Sequence, residues 1–326
     1  MGALESIGGN FMKNTYNLFF SKPEKQRIYK NKTFLNMTIK NMNFDNIIFE
    51  NVVFKNINFE NICIKNTSLK NTTFLSCNFN TCHFFNIEIY NSNLENCIFY
   101  DLVFKQSEVQ DTKIDNCDFV DSNILDIYFN NIDINNCKIE HLEIENIHMN
   151  NSEIESTKFF KINFISLHTL ATKIQKSSIF QTNFFNSWFI ETKIIDSIIF
   201  DVNCEMLYFL MGDIKNCEIK ELIINNSFLK VSSVILTKFF KCNFLNLTTS
   251  ETKISDTRFF TIIFEKSLFN TVVFEKSFFV DFRFIKSEAI KTTSNYCKFD
   301  GGVFDLLNSN NFNFENCDIT YVDFVK

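Results

Sequence analysis

From Phe34 onward a large apolar residue recurs at every fifth position: Phe34, Ile39, Phe44, Phe49, Phe54, Phe59, Ile64, Leu69, Phe74 and Phe79. The series keeps its register to Phe314, Ile319 and Phe324 without insertion or deletion, changing character only at Thr169, Cys204, Thr249, Ala289, Ser294 and Ser309. Two residues before each centre sits a second inward type, either small (Cys77, Ser92, Thr112, Cys117) or aliphatic (Ile47, Val52, Leu102). Two residues after it, the early part of the chain carries Asn: Asn36, Asn41, Asn46, Asn51, Asn56, Asn61, Asn66 and Asn71. A period of five is neither the helical 3.6 nor the strand 2. It predicts very short extended pieces alternating with tight turns, with positions −2 and 0 inward and −1, +1 and +2 outward. Four such sides close a coil of about 20 residues, and coils stack at roughly 4.8 Å.

Composition fits that reading. Six Gly and one Pro in 326 residues are too few to turn the chain through ordinary loops, where those residues normally supply the special backbone angles. Asn fills the gap, because it accepts the positive φ that a type II turn needs at its third residue. With 43 Phe there is ample core material, which excludes intrinsic disorder. No apolar run approaches the ~18 residues of a transmembrane helix, and the first residues lack the basic start and apolar stretch of a secretory signal. A net charge of −6 argues against direct nucleic-acid binding.

The unbroken pentads from Phe34 to Phe324 resemble the pentapeptide-repeat family. The resemblance implies an all-β fold, a right-handed quadrilateral parallel β-helix of about 15 coils over 31–326, preceded by a non-repeat segment, 1–30. The chain departs from the family pattern by placing Asn after the centre and aliphatic residues at many −2 positions, which leaves room for a wider or locally distorted coil. Superimposed on the pentads, residues 128–180 align with 208–260 at an offset of 80, four coils: Tyr128-Phe129 with Tyr208-Phe209, and Thr157-Lys158-Phe159-Phe160-Lys161 with Thr237-Lys238-Phe239-Phe240-Lys241. A duplicated four-coil block accounts for this.

The segment before the repeat carries two readings. Asn10 could cap a short helix through Phe11, Met12, Tyr16, Leu18, Phe19 and Phe20, ended by Pro23, lying as a lid over the first coil. Gly2 and Ser6 also satisfy the N-myristoylation pattern, with Lys22, Lys25, Arg27 and Lys30 as the basic second signal; membrane contact is expected only if Gly2 is acylated. At the other end, Phe314, Ile319, Val322 and Phe324 would face water on an unpaired coil, which predicts a homodimer through the C-terminal coils.

Chemistry finds little footing. Cys77, Cys97, Cys117 and Cys137 fall in one column but share it with Thr157, Ser177, Ser197 and Cys217. The column therefore reads as small buried residues rather than a thiolate metal site, in a reducing, cytoplasmic setting. His83, His141, His148 and His168 have no triad-like spacing to a nucleophile. No catalytic residue, metal or cofactor is assigned. Two surface features remain. One is an acidic stretch that includes Asp111, Asp115, Asp118, Asp121, Asp126, Asp133 and Glu140. The other is a row of apolar residues at outward +1 positions, Phe160, Phe180, Phe200, Phe240, Phe260 and Val280, spaced by 20 or its multiples, with Trp188 on a neighbouring side. The first reading is a non-catalytic rod that docks a protein partner through the aromatic ladder, similar to host-directed bacterial effectors carrying this repeat and so delivered into a host cell. The alternative is an acidic DNA mimic that engages DNA gyrase or another type II topoisomerase, as some members of the resembled family do.

Overall fold

The computed structural model describes residues 26–325 except 310. Pairing begins with β1 (Arg27–Lys30), whose Arg27 lies opposite Ile47 in β3 (Ile47–Glu50). Between them β2 (Thr33–Asp45) pairs with the strand Val53–Lys70, Phe34 against Phe54 and Phe44 against Ile64. Thus residues 27–30, set apart from the repeat on sequence grounds, belong to the ladder, and Tyr29 stacks on Phe49 at 5.3 Å. The helix through Phe11–Phe20 and the Gly2 signal lie outside the described residues.

Every ladder contact is parallel and almost every partner is 20 residues away, as in Phe79 with Phe99 and Phe259 with Phe279. Among the described residues 38 short strands form one continuous wound sheet, a parallel β-solenoid of about 15 coils. Each coil has four sides of five residues. Side I carries the centres Phe34, Phe54 and Phe74; side II Ile39, Phe59 and Phe79; side III Phe44, Ile64 and Phe84; side IV Phe49, Leu69 and Ile89.

The corners explain how so few glycines suffice. The +2 residue of each side lies in the left-handed region, with φ between 47° and 57° from Asn31 through Tyr296. Asn relieves the strain there because its short amide bonds locally. It also links coils: the Nδ2 of Asn51, Asn71 and Asn91 each donates to the Oδ1 of the Asn one coil below, at 3.0, 2.9 and 2.7 Å.

Inside, phenylalanines stack along the axis. Phe59, Phe79, Phe99 and Phe119 lie 4.6 Å apart with nearly parallel rings. Such pairs contribute about 0.5–1.5 kcal/mol beyond their burial. In the middle coils many centres are Ile, with Thr169 and Cys204 among them, and an apolar cavity of about 260 Å³ lined by these and by Phe residues runs along the axis. Thr169 is satisfied inside by the Thr192 hydroxyl at 2.7 Å.

The register of 20 holds to the last coil, with Asn313 opposite Thr293 and Phe324 opposite Phe304. One local irregularity interrupts it: Ser287 pairs with Leu306 while Glu288 pairs with Asn308, in the strand Lys298–Asn308. Leu306 packs on the core, Leu307 is 68% exposed, and Ser309 is exposed rather than central. Leu306 thus turns inward in place of Leu307, and Phe312, at the −2 position of the next side, also reaches the core. The Phe312 ring packs against Phe314 at 4.4 Å and Phe304 at 5.8 Å, beyond this local bulge.

Candidate protein-binding faces

Stacked coils turn each outward position into a column, so a surface is read by side and column. On side II the +1 column holds Phe160, Phe180 and Phe200, then Lys220, then Phe240, Phe260 and Val280. The ladder is therefore assembled, but Lys220 interrupts it, and every one of its rings is half-buried rather than exposed. Phe240 stacks on Phe260 at 4.9 Å, Phe180 meets Phe200 edge-on at 6.2 Å, and the ammonium of Lys220 lies 5.6 Å from the Phe240 centroid. Lys158 and Lys161 hold the same relation to Phe160, at 5.4 and 5.1 Å.

Trp188 does not join that row. It occupies the −1 column of side IV, two sides away, where a second ladder runs through Tyr128, His148, His168, Trp188, Tyr208 and Phe228. Trp188 stacks on Tyr208 at 4.3 Å and Tyr208 on Phe228 at 5.3 Å, with interplanar angles of 18° and 7°. Below Trp188 the stacking loosens: His168 is tilted by 43° to Trp188, and His148 meets His168 edge-on at 4.9 Å. Burial, with the charge of nearby His148 second, holds the His168 imidazole below its ordinary pKa.

The corners beside this ladder carry its clearest signal. Where the early coils place Asn, the corners here hold Ala171, Met206, Met211 and Val231, with Leu236 one side further on, all at positive φ. Met211, Val231 and Leu236 are about half exposed. A side chain other than Gly or Asn in this conformation costs about 1–2 kcal/mol, and a β-branched one such as Val231 is an outlier. Half-exposed apolar groups recover only part of that through packing. Together with the exposed Leu170 and Phe228 they make side IV, from Leu170 to Val231, a largely apolar surface, broken by the exposed Glu191 and Lys230.

The acidic residues converge nowhere. Asp111, Asp115, Asp118, Asp121, Asp126, Asp133 and Glu140 fall in seven different columns spread over the whole circumference. Several are already engaged. Asn131 donates to Asp111 at 2.6 Å and Asn146 to Asp126 at 3.0 Å; Asp121 meets His141 at 3.1 Å, and Glu140 pairs with Lys138 at 2.7 Å.

The thiol column is internal. Cys77, Cys97, Cys117 and Cys137 are buried and donate to backbone carbonyls, Cys77 to Phe54 at 3.3 Å and Cys137 to Asn135 at 3.2 Å. The thiol of Cys97 next to it, and then burial, raise the Cys77 pKa. Burial pushes Cys82, Cys242 and Cys297 up to about 11 and Cys204 to about 12. Among the described residues no group of three or more His, Cys, Asp or Glu could hold a metal ion. In the last coil Phe314 and Val322 are half-buried, whereas Ile319 and Phe324 are 37% and 57% exposed.

No family model and no curated protein matches the chain. Solved structures share its solenoid architecture. HetL, a pentapeptide repeat protein involved in heterocyst differentiation regulation from the cyanobacterium Nostoc, matches at 6% identity and a TM-score of 0.27, over 58% of this chain and 90% of its own. Full-length QnrB1, a plasmid-mediated fluoroquinolone resistance protein, matches at 13% identity and 0.26, over 58% and 85%. The periplasmic alginate epimerase AlgG matches at 7% and 0.29, over 86% and 77%. At these scores the likenesses carry no weight for function, and the fold stands on the chain's own strand register.

Proposed function

We propose that the chain is a non-catalytic rod that binds a protein partner through the apolar surface of side IV, centred on Trp188, Tyr208 and Phe228. The observation that carries this reading is the set of strained, exposed apolar corners at Met211 and Val231. Other late corners that lack Asn carry mostly polar residues such as Lys161, Gln181, Glu251 and Lys276, whereas those beside this ladder carry Ala171, Met206, Met211 and Val231. Aromatic side chains and Met are the types enriched in the cores of protein interfaces. Delivery into a host cell, in the manner of an effector, is part of the proposal. The topoisomerase reading draws no support from the placement of the carboxylates, which form no stripe of the kind a DNA backbone presents.

The test is capture from host-cell lysate by the full chain, compared with Trp188→Ser and Phe228→Asp variants whose circular dichroism is unchanged. Loss of one specific captured protein in both variants supports the reading. Capture that survives both, or protection of gyrase from a quinolone at micromolar protein, overturns it.

A further inference from the structure

Side II, which holds the half-buried Phe ladder, has a charge pattern that is its own complement. Its −1 column reads Asp118, Lys138, Lys158, Ser178, Ile198, Glu218, Lys238 up the rod. Its +2 corners read Asp121, His141, Lys161, Gln181, Asp201, Glu221, Lys241. We propose that two copies of this chain pack antiparallel, side II against side II, about a two-fold axis that lies along the strand direction at the level of Phe180.

Such an axis reverses the rod but keeps each column opposite itself. In the −1 column it sets Asp118 against Lys238 and Lys138 against Glu218. In the +2 column it sets Asp121 against Lys241, His141 against Glu221, and Lys161 against Asp201. In the +1 column Glu140 meets Lys220, while Phe160 meets Phe200, Phe180 meets itself, Val120 meets Phe240 and Tyr100 meets Phe260. Over the nine layers from Tyr100 to Phe260 no like charges are opposed.

The two in-layer ion pairs interlock. Lys138–Glu140 at 2.7 Å and Glu218–Lys220 at 2.5 Å have opposite sense along the strand, so facing each other they close a square of alternating charge. The register is specific. Sliding the partner one layer one way sets Lys138 against Lys238; one layer the other way sets Asp118 against Glu218 and Asp121 against Glu221. The aromatic centre with charged surroundings matches the build of a protein interface. Nine layers at about 4.8 Å span roughly 40 Å, and a side about 15 Å wide gives roughly 600 Å² of flat face per copy, near the ~800 Å² of accessible surface of a standard interface.

The experiment is sedimentation and small-angle scattering of the full chain at tens of micromolar. A dimer with a maximum dimension near one rod, about 70 Å from the coil spacing, is expected. A monomer at that concentration, or a dimer about twice as long, overturns the proposal, the latter because it places the contact at the rod ends. Asp118→Lys and Lys238→Asp should each weaken dimerisation at least tenfold and the double variant should restore it; a double variant as weak as the singles also overturns it. Ser178→Cys, on the axis, should give a disulfide-linked dimer under mild oxidation, and its absence counts against the axis. These outcomes are independent of side IV, so partner capture can fail without touching this pairing.

Discussion

Phe282 occupies the space in which Gly302, one coil above it, would carry a side chain. A Cβ on Gly302 would lie 2.6 Å from two ring atoms and from the backbone oxygen of Phe282. Phe282 is a fully buried ring at a −2 position, where most other sides carry small or aliphatic residues. The excess volume of one coil is matched by the missing side chain of the next. Gly302→Ala should lower the urea midpoint by an amount equivalent to about 1–3 kcal/mol, the usual cost of overpacking. Gly301, at φ +63° with open space around it, should accept Asn within about 0.5 kcal/mol, since Asn fills the equivalent corners. A neutral Gly302→Ala would show that Phe282 can move aside.

Val231→Asn should stabilise the rod by about 1 kcal/mol, because it removes a β-branched residue from the left-handed region. The same change should weaken partner capture. Thermal unfolding alongside pull-down reads both effects. A variant that gains no stability would mean that Val231 is packed in a way its exposure does not reveal.

The thiols should divide sharply in reactivity. Cys63 and Cys317 are partly accessible, whereas the other nine of the eleven are buried, and burial keeps thiols such as Cys204 and Cys242 protonated well above neutral pH. At pH 8 a thiol-specific reagent should modify two groups quickly in the native protein and the remainder only with unfolding. Fast reaction of four or more would contradict the burial of the column.

Acidification should loosen the side IV ladder. The folded state holds His168 below its ordinary pKa, first by burial and then by His148. Above about pH 6.5 the imidazole is neutral in both folded and unfolded chains, so its contribution is fully present there. As pH falls, the unfolded chain takes up the proton first, and stability declines until the folded His168 titrates as well. The melting temperature of His168→Gln should therefore fall less than that of the parent between pH 7 and pH 5. Equal slopes would remove His168 from the account.

The period of five made the architecture legible because each centre reports independently. Phe34, Phe54 and Phe74 lie on one side because they are 20 residues apart, and no distant contact has to be guessed. The bulge at Leu306 was hidden, since Leu306 and Leu307 are the same residue type and only packing decides which of them turns inward. Side IV was hidden for a different reason. The side II ladder repeats one residue type, whereas Tyr128, His148, His168, Trp188, Tyr208 and Phe228 are chemically mixed, and only stacking shows that they act as one column. The signal that could have revealed it was present at the corners, where Met206, Met211 and Val231 replace Asn.

The four-coil offset between Tyr128 and Tyr208 limits how this molecule can change in length. A gain or loss of whole turns keeps every flank pointing the same way, so material can be copied without disturbing the layers beneath. A gain of five or ten residues would rotate everything beyond it by a quarter or half revolution. Trp188 would then no longer stand above His168, and both stripes of contact residues would be cut in two. Growth of the rod is thus restricted to multiples of twenty residues, and the paired blocks at 128–180 and 208–260 fit one copying event of four whole turns.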